Sequence, residues 1–286
     1  MTVHERMVTV APNVDLHLLC SNMDGSGVPF LLVHGLASNA RLWDGVATVL
    51  AAAGHPVVAV DQRGHGRSSK PDSGYDFAAV VNDLVMLIGE LGWQRPVVVG
   101  QSWGGNVVVE LAATAPDLLG AVAAVDGGFI ELGSRFDNWE ECRERLAPPH
   151  LIGTPASQME TWIRTGNDDW PETGIQGSLA NFELRADGTI APWLTFDHHI
   201  EILHALFGHR PSQRFAHITI PAMLIPADTG DVSWTHDKKV AVDAAVAALP
   251  EGRVRWFAPA HHDIHAQHPV ELANVLLDFA TEAVPA

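Results

Sequence analysis

Pro96-Val97-Val98-Val99-Gly100-Gln101-Ser102-Trp103-Gly104-Gly105, running on into Asn106-Val107-Val108-Val109-Glu110-Leu111-Ala112-Ala113-Thr114-Ala115, decides how this chain is read. An apolar run ends in glycine, one serine follows, and small residues open a segment of helical composition. A strand that passes straight into a helix needs a tight turn with small residues two before and two after its apex. Gly100 and Gly104 meet that requirement. Such a turn pushes the Ser102 hydroxyl out at the carboxyl edge of a sheet, where it is free to react. The plainer alternative is a serine that only caps the helix N-terminus.

Working outward, similar apolar runs recur at 29–33 (PFLLV), 56–60 (PVVAV), 121–125 (AVAAV), 220–225 (IPAMLI) and 253–257 (RVRWF). Runs apolar on both faces suit buried parallel strands. Between them lie helical segments, such as 76–92 with Asp76 as N-cap and Gly92 as stop, and 269–283 opening on Pro269. Strand and helix alternating in this way predict an α/β fold, a mostly parallel sheet covered on both faces. The alternation breaks between about residues 130 and 215, where Trp139, Trp162, Trp170 and Trp193 gather with Pro148, Pro149 and Pro171. The expected organisation is a core of residues 1–129 and 216–286 with a mainly helical cap inserted at 130–215.

Composition limits the function classes. The chain has 286 residues, 47% hydrophobic and 18% charged, which excludes a disordered chain and supports a sizeable core. Thirty-four acidic residues against seventeen Lys and Arg give a net charge of −17, a field that repels nucleic acid and anionic membrane. No apolar run approaches the roughly 18 residues of a membrane span, and the first fifteen residues lack the order of a secretory signal, so a cytoplasmic location is expected. Cys20 and Cys142 allow one bridge at most and are read as independent reduced thiols.

A serine hydroxyl is a poor nucleophile near neutral pH, so a base must take its proton and donors must hold the oxyanion that forms. After the run PFLLV come His34, Gly35 and Leu36. The backbone N–H groups of Leu36 and of Trp103, the residue after the serine, are the expected oxyanion donors. His34, directly after a buried strand, is read as a structural group that bonds the loop. The base is sought in Pro259-Ala260-His261-His262-Asp263-Ile264-His265-Ala266-Gln267-His268-Pro269, after the last strand. A zinc site in the same histidines has suitable atoms, but no paired ligand motif such as H-E-x-x-H accompanies it.

These features together resemble the α/β-hydrolase superfamily over essentially the whole chain outside the cap. Asp61-Gln62-Arg63-Gly64-His65-Gly66-Arg67-Ser68 is similar to the D-x-R-G-x-G-x-S turn of many members, and is read here as structural. The resemblance places His262 at the catalytic position, with His261 the fallback and His265 and His268 at the surface or behind the site. It also implies an acid, and there the chain departs from the pattern. Most members carry the acid in a G-x-x-D turn after the seventh strand, whereas here Pro226-Ala227-Asp228-Thr229-Gly230-Asp231 follows IPAMLI. Asp231 fits that place best and Asp228 less well. Some relatives place the acid after the sixth strand, and AVAAV ends in Asp126. Both Asp126 and Asp231 stay open, the other being a turn-forming or helix-capping residue.

The resemblance implies a serine hydrolase of a small to medium, partly apolar ester or lactone, working through an acyl-enzyme with no metal or organic cofactor. Dehalogenases and epoxide hydrolases of the superfamily carry an aspartate at the elbow, where this chain has Ser102. Carbon–carbon bond hydrolases and perhydrolases are alternatives within the fold, and a non-catalytic ligand-binding receptor is one from another class. Cap aromatics, including Phe136, Phe182 and Phe196, are expected either to wall a substrate pocket or to form the cap's own core. Arg135, Arg143 and Arg164 are read as exposed helix residues, and Gly133 and Gly208 as possible hinges. The expected partner is a small ester-like molecule; the sequence leaves the oligomeric state open.

Overall fold

The computed structural model describes residues 2–284, and for 232–234 the backbone alone. The chain opens with an antiparallel hairpin, β1 (Val3–Ala11) and β2 (Val14–Ser21), and continues through β3 (Phe30–Val33), α1 (Asp44–Ala52), β4 (Val57–Val60), α2 (Phe77–Leu91), β5 (Val97–Gln101), α3 (Trp103–Thr114) and β6 (Ala121–Val125). A long insertion follows, with α4 (Trp139–Leu146), β7 (Thr154–Pro155), α5 (Ala156–Gly166), α6 (Glu172–Leu179), β8 (Phe182–Leu184), β9 (Thr189–Pro192) and α7 (Phe196–Gly208). The chain then returns through β10 (Ala222–Ile225), α8 (Val232–Ala248), β11 (Gly252–Val254), α9 (Ile264–Gln267) and α10 (Pro269–Ala283).

Eight strands form one sheet in the order β1-β2-β4-β3-β5-β6-β10-β11. β1, β2 and β4 pair antiparallel, and every other neighbour is parallel. The four central strands β3 to β6 are buried along their whole length, as runs apolar on both faces require. Alternate residues feed two cores. Leu31, Val33, Val58, Val98 and Val122 meet α2, α3 and α8 on one side, while Leu32, Ala59, Val99 and Ala123 meet α1 and α10 on the other. The inserted segment joins the first core through Leu132, Cys142, Ile202, Leu203 and Leu206.

Local signals set the helix ends. Asp76 accepts from the Ala79 N–H at 2.8 Å to cap α2, which stops at Gly92 in the left-handed region (φ 66°), and Pro269 opens α10. The Asp61 turn is structural in the way its composition predicts. Asp61 accepts from the backbone N–H groups of Ala40 and Arg67 at 2.7 and 3.0 Å, and Arg63 grips Asp83 through two nitrogens at 2.5 Å. Cys20 and Cys142 are buried free thiols. The N-terminal hairpin was not among the predicted strands. Its signal is the turn at Pro12-Asn13, where Asn13 has φ 62°, between two segments of mixed polarity.

His265 takes the second of its two expected places, behind the site. It is fully buried rather than at the surface, tilted against the Trp43 ring at 4.5 Å, and neither ring nitrogen has a protein partner. Burial, with lesser repulsion from His262 and His34, pushes its pKa down to about 3. The unfolded chain takes up a proton near 6.5 that the folded one refuses, so this contribution to stability is complete above 6.5 and is lost as pH falls toward 3. We expect His265→Phe to flatten the dependence of Tm on pH between 6.5 and 4 and to leave Tm at pH 7 unchanged or raised. Thermal unfolding followed by circular dichroism across that range checks it; an unaltered slope would show that His265 does not titrate this way.

Candidate active site

Ser102 stands at the carboxyl end of β5 with φ 55° and ψ −121°, a conformation that residues with a side chain rarely adopt. Close packing imposes the turn. A Cβ on Gly100 would run into the Gly104 carbonyl, and one on Gly104 into the carbonyls of Val33 and His34. The Ser102 N–H donates to the Val125 carbonyl at 2.9 Å, which ties the elbow to the neighbouring strand. The Ser102 side chain makes no capping bond to α3, so the plain N-cap role is not the one it has.

Two further loops converge on the elbow. Gly35 packs against the side chains of Gln101 and Ser102, which brings the His34-Gly35-Leu36 loop beside Ser102. Trp103 opens α3, and its backbone N–H is among those a helix start leaves without an intrahelical acceptor. His34 is wholly buried. Its Nδ1–H donates to the Gly35 carbonyl at 2.7 Å, its Nε2 accepts from the Gln62 N–H at 3.0 Å, and its carbonyl accepts from the Gln62 side chain at 2.6 Å. Burial lowers its pKa, so it is a neutral strut with both nitrogens engaged.

The loop after β11 is fastened to the residue preceding the serine. Gln101 Nε2 donates to the His262 carbonyl at 3.3 Å and to Asp263 Oδ1 at 3.2 Å, and the His261 N–H donates to Gln267 Oε1 at 2.7 Å. His262 Nδ1 then meets Asp126 Oδ2 at 2.6 Å. Among the two acids the sequence leaves open, the geometry brings Asp126 to the imidazole. Asp126 lies one residue past β6, in the left-handed region with φ 41°, and its N–H donates to the Ile225 carbonyl at 2.8 Å.

Asp231, the other candidate, is exposed on the turn that leads into α8 and does not take the place beside His262. Asp228 has a local task. It accepts from the Gly230 N–H at 2.8 Å and the Thr235 hydroxyl at 2.7 Å, holding the turn into α8.

Sequence reasoning missed Lys238. From α8 its ammonium donates to Asp126 Oδ1 at 2.8 Å, to Oδ2 at 3.1 Å and to the Ala227 carbonyl at 2.7 Å, with the side chain 9% exposed. Asp126 Oδ1 also accepts from the Ala227 N–H at 2.9 Å. Burial alone would raise the Asp126 carboxyl, but its bonds and charge contacts with His262 and Lys238 outweigh burial and hold it below the usual range. Desolvation opposes the charge on His262, yet Asp126 and the charge of Asp263 prevail and raise its pKa above 6.5, against a lowering influence from Lys238. Half of the His262 side chain remains open at the mouth of the site.

Among the described residues no group of three His, Cys, Asp or Glu side chains is disposed to hold a metal ion, and none of the helices is long and apolar enough to cross a membrane. Arg164 of the inserted segment is committed to Glu160 and Glu172 at 2.9 and 2.8 Å. Trp139 packs against His204 and Phe207 at ring distances of 4.6 and 5.9 Å, joining α4 to α7. His199 on α7 is desolvated to a pKa of about 4 and is therefore neutral at pH 7.

The strand order, the elbow and its converging loops define the class, and comparison gives it a name. The model of the family described as alpha/beta hydrolase fold matches residues 28–172, and the chain belongs to that family. Its curated relatives include a haloalkane dehalogenase of Psychrobacter cryohalolentis, 34% identical over 172 residues, 56% of this chain and 57% of that one. Another is a 2-(acetamidomethylene)succinate hydrolase of Mesorhizobium japonicum, 35% identical over 119 residues, 41% of this chain and 42% of that one. The chain thus spans less than two thirds of the length of these relatives. Among solved structures, an E-2-(acetamidomethylene)succinate hydrolase superposes with a TM-score of 0.80 at 21% identity, covering 97% of this chain and 99% of the other. The thioesterase domain from the curacin biosynthetic pathway gives 0.77 at 19%, covering 97% and 100%; at these identities the likeness is one of fold.

The His262–Asp126 contact makes a prediction that needs no substrate. The His262 ring should titrate above 6.5 in the wild type, fall by about one unit or more in Asp126→Asn, and hold its value in Asp231→Asn. NMR titration of the histidine Cε1–H resonances checks this, and equal responses to the two substitutions would remove Asp126 from the pair.

Proposed function

We propose that the chain is a serine hydrolase that cleaves a small to medium carboxylic ester or lactone through an acyl-enzyme. Ser102 is the nucleophile, His262 the base and Asp126 the acid, with the Leu36 and Trp103 N–H groups as oxyanion donors. The observation that carries the reading is the 2.6 Å contact between His262 Nδ1 and Asp126, set in a loop bonded to Gln101, next to the strained serine. With Nδ1 turned to the carboxylate, Nε2 is left as the basic nitrogen that can accept the serine proton.

In this reading Ser102 Oγ attacks the carbonyl carbon while His262 Nε2 takes its proton. The developing oxyanion is held by the two N–H groups, and collapse expels the alcohol, which receives its proton from His262. Water, deprotonated by the same nitrogen, then attacks the acyl-enzyme and releases the acid and Ser102. The nucleophile type favours acyl over alkyl chemistry. A serine that displaced a halide or opened an epoxide would be left as an ether, which this machinery has no means to hydrolyse, whereas its acyl ester is cleaved by the reverse of the step that formed it.

The test is a p-nitrophenyl ester series with wild type, Ser102→Ala, Asp126→Asn and Asp231→Asn, each checked for folding. We expect kcat to fall by about 10⁴-fold or more in Ser102→Ala and by about 10³- to 10⁴-fold in Asp126→Asn. Asp231→Asn, a change at an exposed turn, should stay within about threefold of wild type. A wild type inert toward every ester and unlabelled by a fluorophosphonate would overturn the reading in favour of a binding protein. Labelling without ester turnover would overturn the ester assignment alone and direct the search to amide or carbon–carbon substrates.

A further inference from the structure

The mechanism above leaves Lys238 without a task, although it is the most closely engaged cation in the site. Its ammonium makes three bonds: to each oxygen of the Asp126 carboxylate, at 2.8 and 3.1 Å, and to the Ala227 carbonyl, at 2.7 Å. It is nearly buried, as is Asp126, at 9% and 4% side-chain exposure. An ammonium has three N–H donors and all three are used, so the group is fixed rather than swinging in solvent. A solvated surface pair would have little influence on its neighbours; a desolvated one with three bonds has a great deal.

The consequence follows from charge. A lone carboxylate beside an imidazole favours its protonation, because imidazolium and carboxylate then form an ion pair. Here the carboxylate already has a permanent cation, held by both of its oxygens. Proton uptake by His262 would place a second cation against a charge that is already shared. The groups facing His262 are Asp126 from the end of β6, Lys238 from α8, Asp263 on its own loop and the buried neutral His265 on α9. His261, next along the loop, acts on Asp263. In this set Lys238 alone opposes a proton on His262 by its charge, His265 being neutral.

We propose that Lys238 is a positioning residue of the triad: it clamps both oxygens of Asp126 so that Oδ2 stays aimed at His262, and it withdraws carboxylate charge so that His262 remains a free base to lower pH than Asp126 alone would allow. Lys238 touches no reacting atom. Its contacts also fasten α8 to the carboxyl end of β10 through Ala227, so the helix that follows the expected but unused acid position supplies the acid's counter-ion instead. The proposal rests on His262 being the base, and its test can fail separately from that reading.

The experiment is an NMR titration of the His262 ring in wild type, Lys238→Met, Lys238→Gln and Lys238→Arg, paired with the pH dependence of fluorophosphonate inactivation in each. Removing the cation should raise the His262 midpoint by about 0.5 to 2 units and carry the acid limb of inactivation up with it. Lys238→Arg, which keeps the charge, should bring both back to within about 0.3 unit of wild type. A role confined to holding α8 in place would lower Tm without moving either midpoint. Folded neutral variants with an unmoved midpoint would overturn the proposal, as would neutral variants that both fail to fold while Lys238→Arg folds. A wild type inert to the fluorophosphonate would sink the hydrolase reading and leave the midpoint shift to decide the role of Lys238 by itself.

Discussion

The close approach of backbone to backbone at the Ser102 turn is the constraint on which the rest of the site depends. Gly100 lies against the Gly104 carbonyl and Gly104 against the carbonyls of Val33 and His34, so β3, β5 and α3 meet with no room for a side chain. That contact forces Ser102 to φ 55°, at a cost of about 1–3 kcal/mol for a residue with a side chain. The strain is tolerated because the central strands are buried on both faces and fix both ends of the turn. What the sheet gains in rigidity, the site gains in a hydroxyl projected from its edge.

The same geometry places Asp126. Parallel strands in register end together, so the residue after β6 lies beside the residue after β5. The Ser102 N–H bonded to Val125 and the Asp126 N–H bonded to Ile225 are two steps of one staircase across β5, β6 and β10. Asp126, at φ 41°, turns out of its strand much as Ser102 does. Downstream, Asn106 on α3 clips the departing chain, accepting from Gly128 N–H at 2.9 Å and donating to the Ile130 carbonyl at 2.7 Å. One helix therefore steadies the segments leaving both strands.

Much of this was legible in the sequence because it is written in local chemistry. The strand runs, the caps at Asp76 and Pro269, the glycine-flanked serine and the structural character of His34 all follow from which residues a strand, a helix end or a tight turn can accept. What was not legible depends on contacts between segments distant in sequence. Asp126 and Asp231 both follow apolar runs, and nothing within either segment says which carboxylate meets the imidazole. Which of its two expected places His265 takes was hidden for a related reason: a histidine among other histidines in a polar-looking loop gives no sign that α9 presses it against Trp43. Lys238 left no signal at all, since its partner is 112 residues away in sequence and its neighbour Lys239 makes an ordinary surface pair with Asp243.

Charge balance ties these late-found residues into one arrangement. Burying a carboxylate with a single neutral imidazole as its partner would leave most of its charge uncompensated, and a proton would settle on the pair at the expense of the base. Asp126 is satisfied instead by a backbone N–H, a lysine and a histidine, a set in which each oxygen has at least two donors. The neutral, desolvated His34, His65 and His265 surround the site without adding charge to it. His17 and His262 each have a carboxylate on Nδ1, Asp61 and Asp126, but His17 is buried, and of the two His262 is the one with half its surface still open.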